Sequence, residues 1–105
     1  MLPLIEQHRT EIAALCRRFG VRRLAVFGSA ARGTDFDPAR SDVDLLYEFE
    51  PISSGAYVDA FFDLKEALER LFNRPVDLVS QEAIETSRNY IRRKSILKQA
   101  EPIYG

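Results

Sequence analysis

Three short apolar runs, separated by longer segments with helical periodicity, set the strongest limit on how this chain folds. The runs are Leu24–Phe27, Asp42–Glu50 and Pro75–Val79. Their length and their bounding turn residues are typical of strands, whereas residues 1–20, 57–72 and 81–100 carry apolar side chains at helical spacing. The sequence therefore predicts an α/β (α+β) fold, in which a small mixed sheet of three or four strands is backed by helices.

The apolar positions of the three long helices follow from this periodicity. Pro3 suits the first turn of the first helix, Gly20 is a natural stop, and His8 is expected on an exposed face. The second helix is expected to carry one apolar stripe made of Val58, Phe61, Phe62, Leu68, Leu71 and Phe72. The last has Ile84, Ile91, Ile96 and Leu97 as its apolar positions, and Ile103 and Tyr104 are expected to pack the tail.

Composition excludes several classes of protein. At 105 residues there is room for one domain, expected to span residues 1–105. Fifteen Lys and Arg against 16 Asp and Glu argue against direct nucleic-acid binding, because phosphate contacts demand a basic excess. The single Cys16 and His8 allow neither an internal disulfide nor a zinc site with four protein ligands. No apolar run could span a membrane and no signal peptide is visible, so the expected location is the cytoplasm.

Gly28 and Ser29 follow the first strand, at the point where a short helix ending at Gly33 is expected. Because Gly28 lacks a Cβ atom, a phosphate group could approach its backbone closely, and the Ser29 hydroxyl could donate to a phosphate oxygen. Arg32, one turn later, could also reach a phosphate, or could pair with Asp35 or Asp37 at the surface. By itself the pattern is equally that of an ordinary strand–helix junction.

Asp42 and Asp44 begin the second strand. Alternation along a strand places both carboxylates on one side, with their Cα atoms about 6.6 Å apart, while Val43 and Leu45 point into the core. Two like charges this close repel, and Mg²⁺ is a suitable counterion because it binds one or two carboxylates and takes its other oxygens from water and phosphates. A solvated polar face on a half-buried strand is the alternative.

Asp77 interrupts the apolar third strand. A carboxylate there is costly to bury unless it is paired or bound to a metal. If the third strand lies beside the second, Asp77 can join Asp42 and Asp44 in a cluster of three carboxylates. The alternative is a strand residue that simply faces outward.

Three motifs in this order carry a family resemblance. They are Gly-Ser-Ala-Ala-Arg-Gly at 28–33, Ser-Asp-Val-Asp-Leu at 41–45 and Val-Asp-Leu-Val at 76–79. Together they resemble the DNA polymerase beta nucleotidyltransferase superfamily, and more narrowly the minimal nucleotidyltransferases, the MNT or MntA-type antitoxins. The similarity extends to residues 45–51, 62–64 and 100–104, so that it covers nearly the whole chain.

The resemblance implies a polymerase-beta-like fold and a role for each motif residue. Gly28 and Ser29 would bind the triphosphate. Asp42 and Asp44 would ligate Mg²⁺, and Asp77 would be the third catalytic carboxylate, helping to bind the metal and to activate the attacking hydroxyl.

The resemblance also implies an enzyme, a Mg²⁺-dependent nucleotidyltransferase that moves AMP from ATP, or another nucleoside triphosphate, to a hydroxyl on a partner protein. In the minimal family that partner is a toxin of the HEPN class, so the chain would act as an antitoxin. A non-catalytic antitoxin that inhibits by binding is the alternative. Modification of a small molecule ranks last, because enzymes of that kind are normally longer chains with an added substrate-binding domain. The chain could form a homo-oligomer or a hetero-oligomer.

The densest positive segment lies near the end of the chain. It comprises Arg88, Arg92, Arg93, Lys94 and Lys98. Such a run is usually a solvated helix face, but here it could also meet a partner protein or the triphosphate.

Overall fold

The computed structural model describes residues 2–33, 37 and 42–105 of the chain. The elements run in the order α1 (Pro3–Gln7), α2 (Arg9–Phe19), β1 (Val21–Phe27), α3 (Ser29–Arg32), β2 (Val43–Phe49), α4 (Ser54–Phe72), β3 (Val76–Ser80), α5 (Gln81–Glu85), α6 (Tyr90–Gln99) and β4 (Glu101–Tyr104). Within these residues the strands form one mixed sheet in the order β3–β2–β1–β4, with β2 and β3 parallel and the other neighbours antiparallel. The predicted fold class is confirmed, and the sheet has four strands.

Consecutive strand residues point to opposite sides of the sheet, so that both faces carry apolar side chains. Helices cover both faces. On one face a large core joins the sheet to α1, α2 and α4, and includes Ile5, Ile12, Leu24, Val26, Val43, Leu45, Leu64, Leu68 and Leu78. On the other face Phe27 and Leu46 pack with Ile84 of α5 and Ile96 of α6. The second, smaller core lies on the same face as the side chains of Asp44 and Asp77.

Helix α4 corrects the predicted apolar stripe. Its buried side chains are Leu64, Leu68 and Phe72, whereas Val58 and Phe62 are 53% and 60% exposed. With about 3.6 residues per turn, Phe62 lies about 120° or more around the helix from Leu64 and Leu68. Val58 lies in the first half of the helix, before the turns that carry the buried side chains. The single stripe was therefore wrong at two positions, and two apolar side chains remain at the surface.

Two long predicted helices are each divided. The first breaks between α1 and α2 at His8, whose Nδ1 lies 2.8 Å from the Leu4 carbonyl oxygen and whose ring packs edge-on against Phe72. His8 is thus half-buried, and its expected exposure was wrong. The last predicted helix is divided between α5 and α6. The tail, which was expected to pack through Ile103 and Tyr104, forms the edge strand β4.

The sequence also predicts a loop at residues 34–41, between the short helix and the second strand. This segment lies outside the described residues except for Asp37. In the part of the chain that the structure does describe, no helix is long and apolar enough to cross a membrane.

Glu69 connects the end of α4 to the start of β3. Its Oε2 accepts one hydrogen bond from the Val76 backbone N–H and one from the Lys65 ammonium, both at 3.0 Å. The bond from Val76, followed by the interaction with Lys65, holds the pKa of the Glu69 carboxyl below its ordinary value. Because Val76 immediately precedes Asp77, this contact also sets the position of that carboxylate.

We expect Glu69→Gln to lower the free energy of unfolding by about 1 kcal/mol at pH 7, a discounted value because the side chain is partly exposed. A lowered pKa means that the folded state holds the proton less tightly than the unfolded state. The stabilisation is therefore present above the ordinary pKa of glutamate and is lost as the pH falls through the lowered pKa. Urea unfolding of both proteins at pH 7, 5 and 4 should show the difference shrinking at the acid end.

Glu66→Gln is the matched control, since Glu66 lies on the same helix and forms an exposed ion pair with Arg70. Its effect should stay within about 0.5 kcal/mol at every pH. A loss at Glu69 that did not change with pH would mean that side-chain packing, and not the charge, holds β3 in place.

Candidate active site

Three side chains form a row across the second face of the sheet, next to its edge. Phe27 of β1 is the register partner of Asp44 in β2, and Asp44 is the register partner of Asp77 in β3. Neighbouring strands lie about 4.8 Å apart, so the two aspartates are side by side. The condition for Asp77 to join the other aspartates, that the third strand lies beside the second, is met. Asp44 is half-buried and Asp77 is exposed, so Asp77 is a carboxylate that a ligand can reach.

Asp42 lies just before β2, which begins one residue later than predicted. Val43 and Leu45 are completely buried on the opposite face, as expected, and they fix the register of Asp44 between them. Asp42 itself is exposed, at the end of the strand where Gly28 leaves β1. The structure therefore brings the three predicted aspartates to one corner of the sheet.

Gly28 makes room for the Asp44 carboxylate. A Cβ atom at this position would overlap Oδ2 of Asp44 and come within 3.4 Å of its Cγ. The backbone of Gly28, with φ 69° and ψ −151°, is also in a region that is essentially restricted to glycine. The sequence indicated a close approach at Gly28, but it did not identify Asp44 as the approaching group.

Ser29 begins α3, directly beside this contact. The helix turns tightly, because the Gly28 carbonyl accepts hydrogen bonds from the N–H groups of both Ala31 and Arg32 at 3.1 Å. Ala30 and Ala31 are buried, whereas Ser29 is half-buried and Arg32 is exposed. The predicted short helix and its end at Gly33 are confirmed, with Gly33 in the left-handed conformation.

The electrostatics of the corner centre on Asp44. Burial raises the pKa of the Asp44 carboxyl above its ordinary value, and the neighbouring Asp77 and Asp42 raise it further. The Arg32 guanidinium acts in the opposite direction. A half-buried carboxylate surrounded by like charges is a favourable place for a cation to bind.

Gln99 is a contributor that sequence reasoning missed. Its Oε1 accepts a hydrogen bond of 2.9 Å from Nη1 of Arg32, and its Nε2 donates to the Ser95 hydroxyl at 3.1 Å. The end of α6 thus holds the arginine that acts on Asp44. A glutamine at a helix end gave no signal in the sequence, because 67 residues separate the two partners.

The donor set fits a metal that needs few protein ligands. Among residues 2–33, 37 and 42–105, no three or more histidine, cysteine, aspartate or glutamate side chains are grouped as a metal site. The aspartates therefore act on one another through their charges without forming a closed cage. Mg²⁺ typically takes one or two carboxylates and completes its shell with water and substrate phosphates, so an open pair such as Asp44 and Asp77 suits it.

Comparison with known proteins gives a consistent assignment. Residues 9–101 match the nucleotidyltransferase domain family. Over 83 residues the chain is 39% identical to the protein adenylyltransferase MntA of Thermococcus cleftensis, a match that covers 79% of this chain and 76% of that protein.

Solved structures agree at the level of the fold. One, of a protein assigned as a minimal nucleotidyltransferase, aligns with a TM-score of 0.69 and 36% identity, covering 93% of this chain and 91% of the other. Another is the complex of a tri-AMPylated HEPN toxin of Shewanella oneidensis with MNT antitoxin. It aligns with a TM-score of 0.61 and 17% identity, covering 96% of this chain and 72% of the other; at that identity it speaks for the fold alone.

Proposed function

Because this chain belongs to the nucleotidyltransferase domain family, we propose that it is a protein adenylyltransferase, which transfers AMP from ATP to a hydroxyl of a partner protein. The observation that carries the proposal is the side-by-side placement of Asp44 and Asp77, with the Asp44 carboxylate against Gly28. A paired carboxylate site, a glycine that admits close approach and a nearby arginine are the parts that nucleotidyl transfer requires.

Each motif residue has a role in this proposal. Gly28 and Ser29 line the side of the corner where a triphosphate would lie, and the Arg32 guanidinium offers positive charge to its oxygens. Asp77, exposed beside Asp44, would accept the proton of the attacking hydroxyl. The bond from that oxygen to the α-phosphorus forms, the bond from phosphorus to pyrophosphate breaks, and the proton passes to Asp77.

Asp44, with Asp42 and Asp77 beside it, would hold Mg²⁺. The raised pKa of Asp44 supports this role, because burial and then the neighbouring carboxylates of Asp77 and Asp42 disfavour its charge, which a bound cation would stabilise. When bound, Mg²⁺ supplies charge neutralisation on the triphosphate and alignment for in-line displacement.

A HEPN-type toxin is the proposed acceptor, which makes this chain the antitoxin of a pair. The identity to a protein adenylyltransferase of the MntA type supports it, and so does the fold shared with a complex that contains an AMPylated HEPN toxin. The competing function, inhibition by binding alone, predicts a different stoichiometry.

We expect this chain, at about one-twentieth of the concentration of its HEPN-type partner, to add AMP mass to nearly all of that partner when ATP and Mg²⁺ are present. An enzyme turns over, so it is needed only in catalytic amounts. Intact-protein mass spectrometry of the partner measures the transfer, and loss of the partner's toxin activity measures the consequence.

Two controls separate the two functions. A chelator in place of Mg²⁺ should stop the transfer, and Asp77→Asn should bind the partner but add no mass. Inhibition that saturates only near one equivalent, and that is equal in wild type and Asp77→Asn, would assign the chain to inhibition by binding.

A further inference from the structure

The exposed side of helix α6 combines apolar and basic side chains. Ile91 is 79% exposed, Tyr90 is 58% exposed and Leu97 is 36% exposed. Lys94 and Lys98 are exposed on the same side. We call these five residues the α6 outer face. With about 3.6 residues per turn they lie on the side of the helix away from Ile96, which packs in the core.

Charge is concentrated in this part of the chain. Residues 88–99 contain five Lys and Arg and no Asp or Glu, whereas the remainder has ten Lys and Arg against 16 Asp and Glu. None of the five cations forms a salt bridge within the described part of the chain. Two of them, Arg93 and Lys94, lie over the Tyr90 ring. The α6 outer face therefore presents uncompensated positive charge around exposed apolar groups.

A cleft opens beside the same face. Leu97 lines it together with Ala25, Leu46, Pro102 and Tyr104, and its volume is about 210 Å³. A buried protein cavity of roughly 150 Å³ can hold benzene, so this cleft is large enough for one aromatic or aliphatic side chain. Protein interfaces typically place such an anchor in a pocket and surround it with polar contacts.

The α6 outer face ends close to the corner of the sheet that holds Asp44 and Asp77. Helix α6 is about 15 Å long, and its final residue, Gln99, holds the arginine that acts on Asp44. Lys94 and Lys98 are exposed, about 140° and 100° around the helix from Gln99, so their charge lies beside that contact and not on it. An acceptor protein has to lie across this corner to bring its hydroxyl to Asp77.

We propose that the α6 outer face is the docking surface for the acceptor protein, and that it takes an acidic surface with an apolar side chain seated in the cleft beside Leu97. The inference rests on the proposed function, since it places the acceptor of that reaction. The exposed aliphatic side chains of Ile91 and Leu97 favour a protein, because single-stranded nucleic acids bind to basic grooves through stacking on aromatic side chains.

The test uses the full chain, its HEPN-type partner, and the double variant Lys94→Glu/Lys98→Glu. Direct binding is measured by calorimetry without ATP, and transfer is measured with ATP and Mg²⁺. We expect the dissociation constant and the KM for the partner to rise roughly tenfold, with KM for ATP unchanged and with a weaker dependence on salt. The control Arg17→Glu/Arg18→Glu reverses two exposed charges on α2, at the opposite face of the sheet, and should leave both constants unchanged.

Apolar substitutions test the second part of the surface. Ile91→Ser should weaken partner binding several-fold, whereas Val58→Ser, at an exposed apolar position of α4, should not. All variants should keep the wild-type melting temperature, because the substituted side chains are exposed.

Other outcomes overturn the inference in recognisable ways. An unchanged partner affinity in both α6 variants would place docking elsewhere. A raised KM for ATP alone would assign α6 to the triphosphate, and binding of a labelled RNA oligonucleotide that is lost in the double variant would make the face a nucleic-acid surface. Partner binding that depends on α6 but brings no transfer would reject the proposed function and keep the docking surface. Wild-type protein that does not bind the partner would reject both.

Discussion

Asp44→Asn is expected to lower nucleotidyl transfer roughly a thousandfold, about 4 kcal/mol in activation free energy, because an amide cannot replace a carboxylate that holds the metal. The same substitution should leave the melting temperature unchanged or higher. Folding places the Asp44 carboxylate in a half-buried position beside Asp77 and Asp42, and both surroundings disfavour its charge. Removing that charge relieves the repulsion.

Single-turnover transfer to the same wild-type partner measures the first effect. Thermal unfolding of this chain measures the second. Asp63→Asn is the matched control, since Asp63 is an exposed aspartate on α4, whose buried residues pack on the opposite face of the sheet. It should change neither quantity. If Asp44→Asn unfolded the protein, the aspartate would be structural, and the assignment of the corner as a metal site would fail.

Gly28→Ala is expected to cost about 3 kcal/mol or more in the free energy of unfolding and to reduce transfer at least a hundredfold. Two effects add. The backbone at Gly28 is in a region that L-residues avoid, and the new methyl group would overlap the Asp44 carboxylate. The substitution therefore displaces a catalytic group in addition to straining the chain.

Gly33→Ala separates these two effects. Gly33 also has a positive φ, 75°, but a Cβ atom there meets nothing within 4 Å. Its substitution should cost only about 1 kcal/mol and preserve activity. In an Asp44→Ala background, moreover, Gly28→Ala should lose the part of its stability cost that comes from the overlap. Equal costs in the two backgrounds would show that the contact between Gly28 and Asp44 contributes nothing.

The corner of the sheet that holds Asp42, Asp44 and Asp77 was largely predictable, because the sequence patterns that indicate it are local. Alternation along a strand is a geometric necessity, so Val43 and Leu45 in the core place Asp44 on the other face whatever the rest of the chain does. The pairing of Asp44 with Asp77 needed only one further assumption, that the two strands are neighbours. Gly28 was recognised as a candidate for close approach because a residue without a Cβ atom stands at the end of a buried strand, although the expected approaching group was a phosphate.

What could not be predicted depends on contacts between distant parts of the chain. An apolar residue in a helix indicates burial only if the neighbouring surface is known, and Phe62 and Ile91 are instead exposed. The hydrogen bond from Arg32 to Gln99 has no local signature at all. Strand β4 was missed because Pro102 and the charged Glu101 weaken its strand pattern, although both are tolerated at a sheet edge.

The edge position of β4 has a consequence for biosynthesis. Strand β1 lies in the middle of the sheet, and its second edge pairs with residues 101–104. During translation β1 is therefore made early but stays unpaired on that side until β4 has left the ribosome. A long-range pairing of this kind slows folding and leaves a strand edge available to other chains in the meantime. Nascent chains halted before residue 101 should consequently be the ones that a chaperone or a protease recognises.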